Sequence, residues 1–279
     1  MPDQGLPASL KHAIAARVRA VFNDTDKGER PVLRREDGLF GPASVAWRVH
    51  GDVTTMMVGG ISALLLQMLH PAVLAGVWDH SNFRTDMNGR LRRTARFIAL
   101  TTYGSRDEAE AAIARVRAIH GRVRGTLADG TPYTAQDPEL LTWVHITETW
   151  AFLKAWRRFG EPAMPLADQD RYFAETAVVA EMLGAASVPV TKAETMARIA
   201  DLRSRLRADA RTRTVANLVL AQPRGGLEAL PLGFVQRAAV DLLPRWARHM
   251  HGLRRSALSR PLVASGTLAL AQTLRWAFR

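Results

Sequence analysis

Apolar residues recur along most of this chain at the three- and four-residue spacing of α-helices, and no segment alternates convincingly as a strand does. Two helix-starting signals agree with that pattern, a capping box at Ser105 with Glu108 and a cap at Asp137 followed by proline. The spacing predicts helices at 9–22, 53–69, 71–79, 89–103, 105–125, 139–159, 166–183, 191–208, 211–221, 231–249 and 258–277. The sequence therefore predicts an all-α fold, a single globular helical domain.

The segments between these helices suggest how the chain is organised. Residues 23–42 are polar and rich in turn-forming residues, so we expect 1–43 to form an N-terminal helix and arm. The main helical domain is then expected to span 44–279. A small hairpin is predicted around Asp129, and segment 139–159, which is apolar nearly all round, predicts a central buried helix.

Composition narrows the classes of function. The chain of 279 residues is 47% hydrophobic and contains no cysteine, which excludes disulfides, thiolate nucleophiles and cysteine-ligated metals. Its formal net charge is +12, yet the basic residues are dispersed and no nucleic-acid-binding motif is present. We therefore expect no nucleic-acid partner.

The sequence also bears on membranes. No apolar run approaches the roughly 18 residues of a spanning helix, and the N-terminus lacks the apolar core of a signal peptide, so a cytoplasmic location is expected. The basic charge favours anionic membranes, which leaves a peripheral membrane contact open. The last predicted helix, 258–277, is expected to dock on the core, with a position on a membrane surface as the alternative.

One predicted helix carries a histidine on its apolar stripe. His120 lies on the same stripe as Ile113, Val116 and Val123, and Arg117 and Arg124 flank it three residues before and four residues after. The candidate cofactor-binding residues are His120, Arg117 and Arg124. A core histidine bonded to a backbone carbonyl explains this pattern, and periodicity alone favours that interpretation. The alternative is a metal ligand, with His120 as the axial ligand of a cofactor whose acidic groups meet arginine.

A second group of candidates involves helix 139–159 and a helix break. His145 and Glu148 lie three residues apart on one face of that helix, whose other members are Leu141, Val144, Phe152, Ala155 and Phe159. A buried carboxylate on such a face needs a partner. His70 precedes Pro71, where helical geometry is disfavoured. These three residues are interpreted as structural contacts, as supports for another site, or as an alternative metal site.

A third candidate is the basic pattern Arg-x-x-Arg-Thr at Arg90, Arg93 and Thr94, which places the three side chains on one helix face. Taken alone, it is best interpreted as a solvated basic face. Thr94 nevertheless shares its side with Phe97 and Ile98, so the face is partly apolar.

The order of several runs along residues 44–250 resembles a known family. The runs are WRVHGD, GGISALLLQMLHPAVLAGVWDHSNFRTD, GRLRRT, VRAIHGRVRG and DPELLTWVHITETWAFL. In this order they are similar to proteins grouped with latex-clearing protein, which include the rubber oxygenases and the fungal membrane-bound oxygenase of mycophenolic acid biosynthesis. The similarity is closest to a bacterial branch distinct from the rubber oxygenases themselves.

This resemblance implies a globin-like helical core that holds haem b. Its proximal ligand would be His120, followed four residues later by Arg124, with Arg90, Arg117 and Arg124 as partners for the haem propionates. The family's distal Arg-x-x-Lys-Thr segment would correspond to Arg90, Arg93 and Thr94, with the lysine replaced, and the resemblance makes these three the candidate catalytic residues. Because arginine stays protonated, Arg93 is expected to donate hydrogen bonds and not to ligate iron. No carboxylate here is matched to the acid/base residue of the rubber oxygenases.

Several functional hypotheses follow. The leading one is a haem b-dependent oxygenase that acts with O₂ on an apolar, unsaturated substrate such as a prenyl or lipid-like chain. Gly59 and Gly60 are expected to let a flat macrocycle or a lipid chain approach the helix closely. The alternatives are a non-catalytic haem- or lipid-binding protein, a non-haem iron enzyme using His145 and Glu148, and a purely structural role. The oligomeric state is not predicted.

Overall fold

The computed structural model describes residues 5–23, 28–221, 230–253 and 260–278. Within these ranges the chain is helical apart from loops and one two-stranded antiparallel hairpin, so the all-α prediction is confirmed. The helices are α1 (Gly5–Phe22), α2 (Val45–His50), α3 (Val53–Gln67), α4 (Pro71–His80), α5 (Met87–Tyr103), α6 (Arg106–His120), α7 (Pro138–Phe159), α8 (Leu166–Leu183), α9 (Lys192–Leu202), α10 (Ala210–Val219), α11 (Leu230–Leu242), α12 (Arg245–His251) and α13 (Arg260–Ala277). The strands are β1 (Arg124–Thr126) and β2 (Pro132–Thr134), which form the hairpin predicted around Asp129.

The core is built around the contact between α3 and α7, the most extensive contact between two helices in the described chain. Gly59 makes this close crossing possible, because a Cβ atom at that position would lie 2.9 Å from the Cα atom of Phe152. The prediction that Gly59 opens α3 to a macrocycle or lipid is therefore wrong, since α7 already occupies that side of the glycine. Trp143 is fully buried in α7, in agreement with the prediction of a central helix.

The terminal helices close the fold around this pair. Helix α13 packs on α11, α3 and α1, and Arg275 near its end forms a 2.6 Å ion pair with Asp52, which caps α3. Helix α1 packs against α13 and α5, and backbone hydrogen bonds also join Arg35 and Asp37 to the ends of α5 and α6. The predicted division at residue 43 stays a prediction.

Several predicted boundaries differ from those observed. Helix α6 ends at His120, five residues early, because residues from Arg124 onward pair with β2 instead of continuing the helix. The segment predicted as 231–249 is two helices, separated at Pro244, whose ring removes a backbone donor and restricts the preceding residue. Helix α2 was not predicted, and α9 ends at Leu202, followed by a short 3-10 turn at Arg203–Arg205. The predicted start of the last helix, at 258, lies outside the described residues.

The turn between α3 and α4 lies where it was predicted. Helix α3 ends at Gln67, and His70 adopts an extended conformation as the residue before Pro71, which opens α4. The two helices meet at 105°, and only when joined do they reach the length and apolar content of a membrane span. No single helix in the described ranges meets that criterion.

Candidate functional site

An elongated cavity of about 340 Å³ lies between helices α4, α5, α6, α7 and α8, a size within the range of small-molecule sites. Most of its wall is apolar, and it is formed by residues such as Val73, Val77, Phe97, Ile98, Val123, Leu141, Val144, Phe152, Val179 and Leu183. The polar and titratable side chains that reach it include His50, His80, Arg90, His120, His145 and Glu148. Four histidines and one glutamate thus line the same cavity as the candidate arginine.

His120 enters the wall as the last residue of α6, which the Ser105–Glu108 capping box starts and Gly121 ends. Its Nδ1 atom is buried and has no hydrogen-bond partner. Burial lowers the pKa of the imidazole, so the ring is neutral and keeps a lone pair at neutral pH. No hydrogen bond joins either ring nitrogen to a backbone carbonyl or a carboxylate within the described residues, so the interpretation as a core histidine bonded to a carbonyl is not confirmed.

Helix α7 supplies a histidine and a carboxylic acid from its middle. His145 and Glu148 lie on the face that the sequence predicted, together with Leu141, Val144 and Phe152, and all five line the cavity. The Nε2 atom of His145 is buried without a partner, and burial lowers its pKa to about 4. No hydrogen bond joins the side chains of His145 and Glu148, so the contact predicted between them is not confirmed.

Glu148 is enclosed by protein and has neither a hydrogen bond nor an ion pair among the described residues. The part of its side chain that is not buried faces the cavity. Burial raises the pKa of the carboxyl to about 7, because the charged form loses its hydration without gaining a partner. Near neutral pH this carboxyl can therefore both hold and release a proton.

Among the cavity residues that the sequence did not single out is His50. It ends α2, and 2.8 Å hydrogen bonds join its Nδ1 to the hydroxyl of Thr102 and its Nε2 to the hydroxyl of Tyr172. Burial lowers the pKa of His50 to about 3. Burial, with a smaller contribution from the charge of Glu148, raises the pKa of Tyr172 well above its usual value. The short helix that carries His50 offered too few periodic positions to predict this placement.

The three residues of the Arg-x-x-Arg-Thr pattern lie in different environments. Arg90 lines the cavity and donates to the Ser81 hydroxyl at 3.2 Å; burial and the charge of Arg93 lower its pKa to about 10. Arg93 is exposed and is paired with Asp86 at 3.3 Å. The exposed Thr94 donates to the backbone carbonyl of Arg90. Only Arg90 of the three candidate catalytic residues therefore reaches the cavity.

The two arginines predicted beside His120 also lie away from the cavity. Arg117 is exposed on α6 and donates to the backbone carbonyl of Met182 in α8 at 3.1 Å. Arg124 is exposed on β1, because α6 ends before it and the helical spacing that placed it next to His120 does not apply. Of the predicted propionate partners, Arg90 alone lines the cavity wall.

His70 is buried outside the cavity. Its ring centroid lies 6.3 Å from that of Trp143, its Nδ1 has no partner, and burial, followed by the charge of Arg205, lowers its pKa. It is therefore not brought together with His145 and Glu148. No group of three or more histidine, aspartate and glutamate side chains in the described ranges could hold a metal ion, which gives the non-haem iron alternative no support.

Comparison with known proteins gives one match. Residues 47–276 match the family model described as "ER-bound oxygenase mpaB/B'/Rubber oxygenase, catalytic domain". No curated protein and no solved structure matches the chain. The matched region includes every residue that lines the cavity except Phe40.

Proposed function

Because the chain belongs to the family of the MpaB and rubber oxygenases, we propose that it is a haem b-dependent oxygenase acting with O₂ on an apolar, unsaturated substrate. The observation that carries this proposal is the unpartnered imidazole of His120 in the wall of a largely apolar cavity. A prenyl or fatty chain with a double bond is the class of substrate that such walls favour, because they offer apolar contact along most of their length.

The residues around the cavity fit a haem group. His120 presents a neutral ring with no competing hydrogen bond, as an iron ligand requires. Arg90 lies in the same wall and carries a positive charge that suits a propionate. When bound, the haem would supply the redox chemistry with O₂, while the protein supplies the ligand, the apolar surroundings and the counter-charge.

Glu148 has a distinct task in this proposal. Its carboxyl oxygen would take up or deliver a proton at the oxidised carbon chain, since no other contact occupies it and its pKa of about 7 suits both directions. The apolar wall formed by Val144 and Phe152 keeps water from competing for that proton. His50, held by Thr102 and Tyr172, fixes one side of the same wall.

The experiment that tests this proposal is an optical spectrum of protein produced with added haem, compared with two histidine variants. We expect the wild type to bind haem with a Soret band and His120→Ala to lose most of it, because the iron loses its protein ligand. The matched control is His70→Ala, since His70 is also a buried histidine with an unpartnered Nδ1 but lies outside the cavity. It should keep the wild-type haem content.

Equal haem content and an unchanged Soret band in His120→Ala would overturn the assignment of the ligand. Loss of haem from both variants would indicate a general effect of removing a buried side chain. Colourless, iron-free wild-type protein after haem supplementation would overturn the cofactor itself.

A second candidate function is a non-catalytic haem- or lipid-binding protein. The observation that favours it is the position of Arg93 and Thr94, which are exposed and leave Arg90 as the sole member of the basic pattern at the cavity. Oxygen uptake with an unsaturated lipid separates the two functions. An oxygenase consumes O₂ in proportion to oxidised lipid, whereas a carrier binds the same lipid without consuming O₂.

A further inference from the structure

The first and last helices form an unusual surface. Five of the eleven large hydrophobic side chains that are exposed in the described residues belong to α1, α13 and the residue that follows α13: Leu10, Leu262, Leu268, Trp276 and Phe278. The other six are scattered over the loops and helices between residues 33 and 196. We call the exposed side of α1 and α13 the terminal-helix face.

Helix α13 contributes a continuous uncharged stripe to this face. The stripe follows helical spacing and consists of Leu262, Ser265, Leu268, Ala269, Gln272, Thr273 and Trp276. The opposite side of the helix is buried against α11 and α3 through Val263, Thr267 and Ala271. Helix α13, which already buries one side in the core, therefore leaves a second, uncharged side with exposed Leu262, Leu268 and Trp276 that has no partner in the described chain.

The charge of the two helices is one-sided. Neither α1 nor α13, each 18 residues long, contains an aspartate or glutamate, although the whole chain has 26. Their cationic residues are Lys11, Arg17, Arg19, Arg260 and Arg275. Lys11 lies 5.0 Å from the ring centroid of Trp276, so a cation and an exposed aromatic ring meet where the two helices pack.

From this combination we propose that the terminal-helix face docks the protein on an anionic lipid surface. Exposed leucine and aromatic side chains, on two helices that carry cations such as Lys11 and no carboxylates, match the chemistry of such a membrane, which offers apolar tails below negative headgroups. A second copy of the chain is a poorer occupant, because two such faces would bring like charges together. The inference depends on neither the haem nor the proposed reaction.

Each group on the face has a definite task. Leu262 and Leu268 enter the boundary between headgroups and acyl chains, and Trp276 lies at the level of the headgroups, where amphipathic rings are favoured. Lys11, beside that ring, contacts the lipid phosphates. The ion pair between Arg275 and Asp52 holds α13 on the core, so the helix binds without leaving the fold.

The test is flotation of the full chain with vesicles. The probe is a mixture of phosphatidylglycerol and phosphatidylcholine, with pure phosphatidylcholine as the neutral comparison. We expect the protein to float with the anionic vesicles and the double variant Leu262→Gln/Leu268→Gln to bind them at least about tenfold more weakly. Lys11→Glu should lower binding to anionic vesicles about fivefold or more and change little with neutral ones.

The matched control replaces exposed apolar residues elsewhere, in Leu166→Gln/Met196→Gln on α8 and α9, which should bind as the wild type does. A second measurement does not depend on a destabilising change. Brominated lipids should quench part of the wild-type tryptophan fluorescence, and Trp276→Phe should remove that quenched part while it keeps the face apolar.

Three outcomes would overturn the proposal. The protein fails to float with either vesicle; the control variant loses as much binding as the α13 variant; or the wild type is a dimer that Leu262→Gln/Leu268→Gln dissociates. The last result would assign the face to a second copy of the chain.

Discussion

Helices α6 and α7 both bring an imidazole to the cavity, but they do so in different ways. Helix α6 is amphipathic and half exposed, and it delivers His120 with its last residue, just before the chain turns into β1. Helix α7 is buried on most sides and presents His145 and Glu148 from the middle of its 22 residues, where packing along the helix holds them. The position of His120 therefore depends on where α6 ends, whereas the positions of His145 and Glu148 depend on how α7 packs.

This difference explains why the two helices were predicted with different success. Five of the seven residues assigned to one face of α7 line the cavity, because a regular helix keeps its spacing. The other two, Ala155 and Phe159, are buried in the core near the end of the helix. On α6 the same spacing placed Arg124 beside His120, yet pairing with β2 takes that residue out of the helix. Spacing is thus informative within a helix and loses its meaning past its last turn.

The largest effect expected on α7 comes from Glu148→Gln. Because the pKa of Glu148 is raised to about 7 in the folded protein, the unfolded state releases its proton first as the pH rises, and folding loses stability between about pH 4.5 and 7. The variant should escape this loss and be more stable than the wild type by about 3 kcal/mol above pH 7, with little difference below pH 4. Denaturant unfolding of both proteins at several pH values measures this difference in stability. The buried histidines contribute equally to both proteins, so their effect cancels in the comparison.

Glu139 provides the matched control on the same helix. It lies in the first turn of α7 and pairs with Arg198 at 2.8 Å and with Arg205. Glu139→Gln removes both ion pairs and should not stabilise the protein at any pH. A stability difference between Glu148→Gln and the wild type that is the same at pH 4 and pH 8 would contradict the burial of an unpaired carboxyl.

A smaller effect is expected where α3 supports α7. Gly59→Ala should lower the free energy of unfolding by about 2 kcal/mol, because the new Cβ would meet the backbone of Phe152 and force the two helices apart. Gly60→Ala is the control, since its Cβ would lie at an ordinary 3.8 Å from the Phe152 ring. It should be neutral or stabilising by up to about 1 kcal/mol, as alanine favours a helix more than glycine does.

Thermal or denaturant unfolding of both glycine variants decides this point. Equal stability of Gly59→Ala and Gly60→Ala would show that α3 and α7 are not in close backbone contact at Gly59. The position of His145 and Glu148 in the cavity would then lose its structural basis.

The smallest effect concerns the periphery of α6. Arg117→Ala should cost about 0.5 kcal/mol of stability, since it removes one exposed hydrogen bond to Met182, and should leave haem affinity unchanged. Arg90→Ala should weaken haem binding about tenfold or more, because it removes the cavity's own cation. Haem titration of the two variants compares them, and an Arg117→Ala effect as large as that of Arg90→Ala would restore Arg117 as a cofactor-binding residue.

The sequence identified several of the residues that line the cavity but not all of them, and not how they are arranged. His120, His145, Glu148 and Arg90 were identified from spacing and resemblance, and all four face one cavity. His50 was missed, because its six-residue helix shows no period and its partners Thr102 and Tyr172 are distant in sequence. The exposure of Arg93 and Thr94 agrees with the solvated basic face that the pattern alone favoured, whereas the place of Arg90 in the cavity wall could not be predicted from spacing.

What the sequence alone determined is the helical class, most helix boundaries and the membership of each helix face, because these depend on local periodicity, capping residues and proline. Tertiary structure decided which faces meet. The close contact at Gly59 directs α7, strand pairing ends α6 at His120, and the arrangement of five helices turns separate stripes into one cavity. The physical reason is that burial, and with it the raised pKa of Glu148 and the neutrality of His120, comes from neighbours that are distant along the chain.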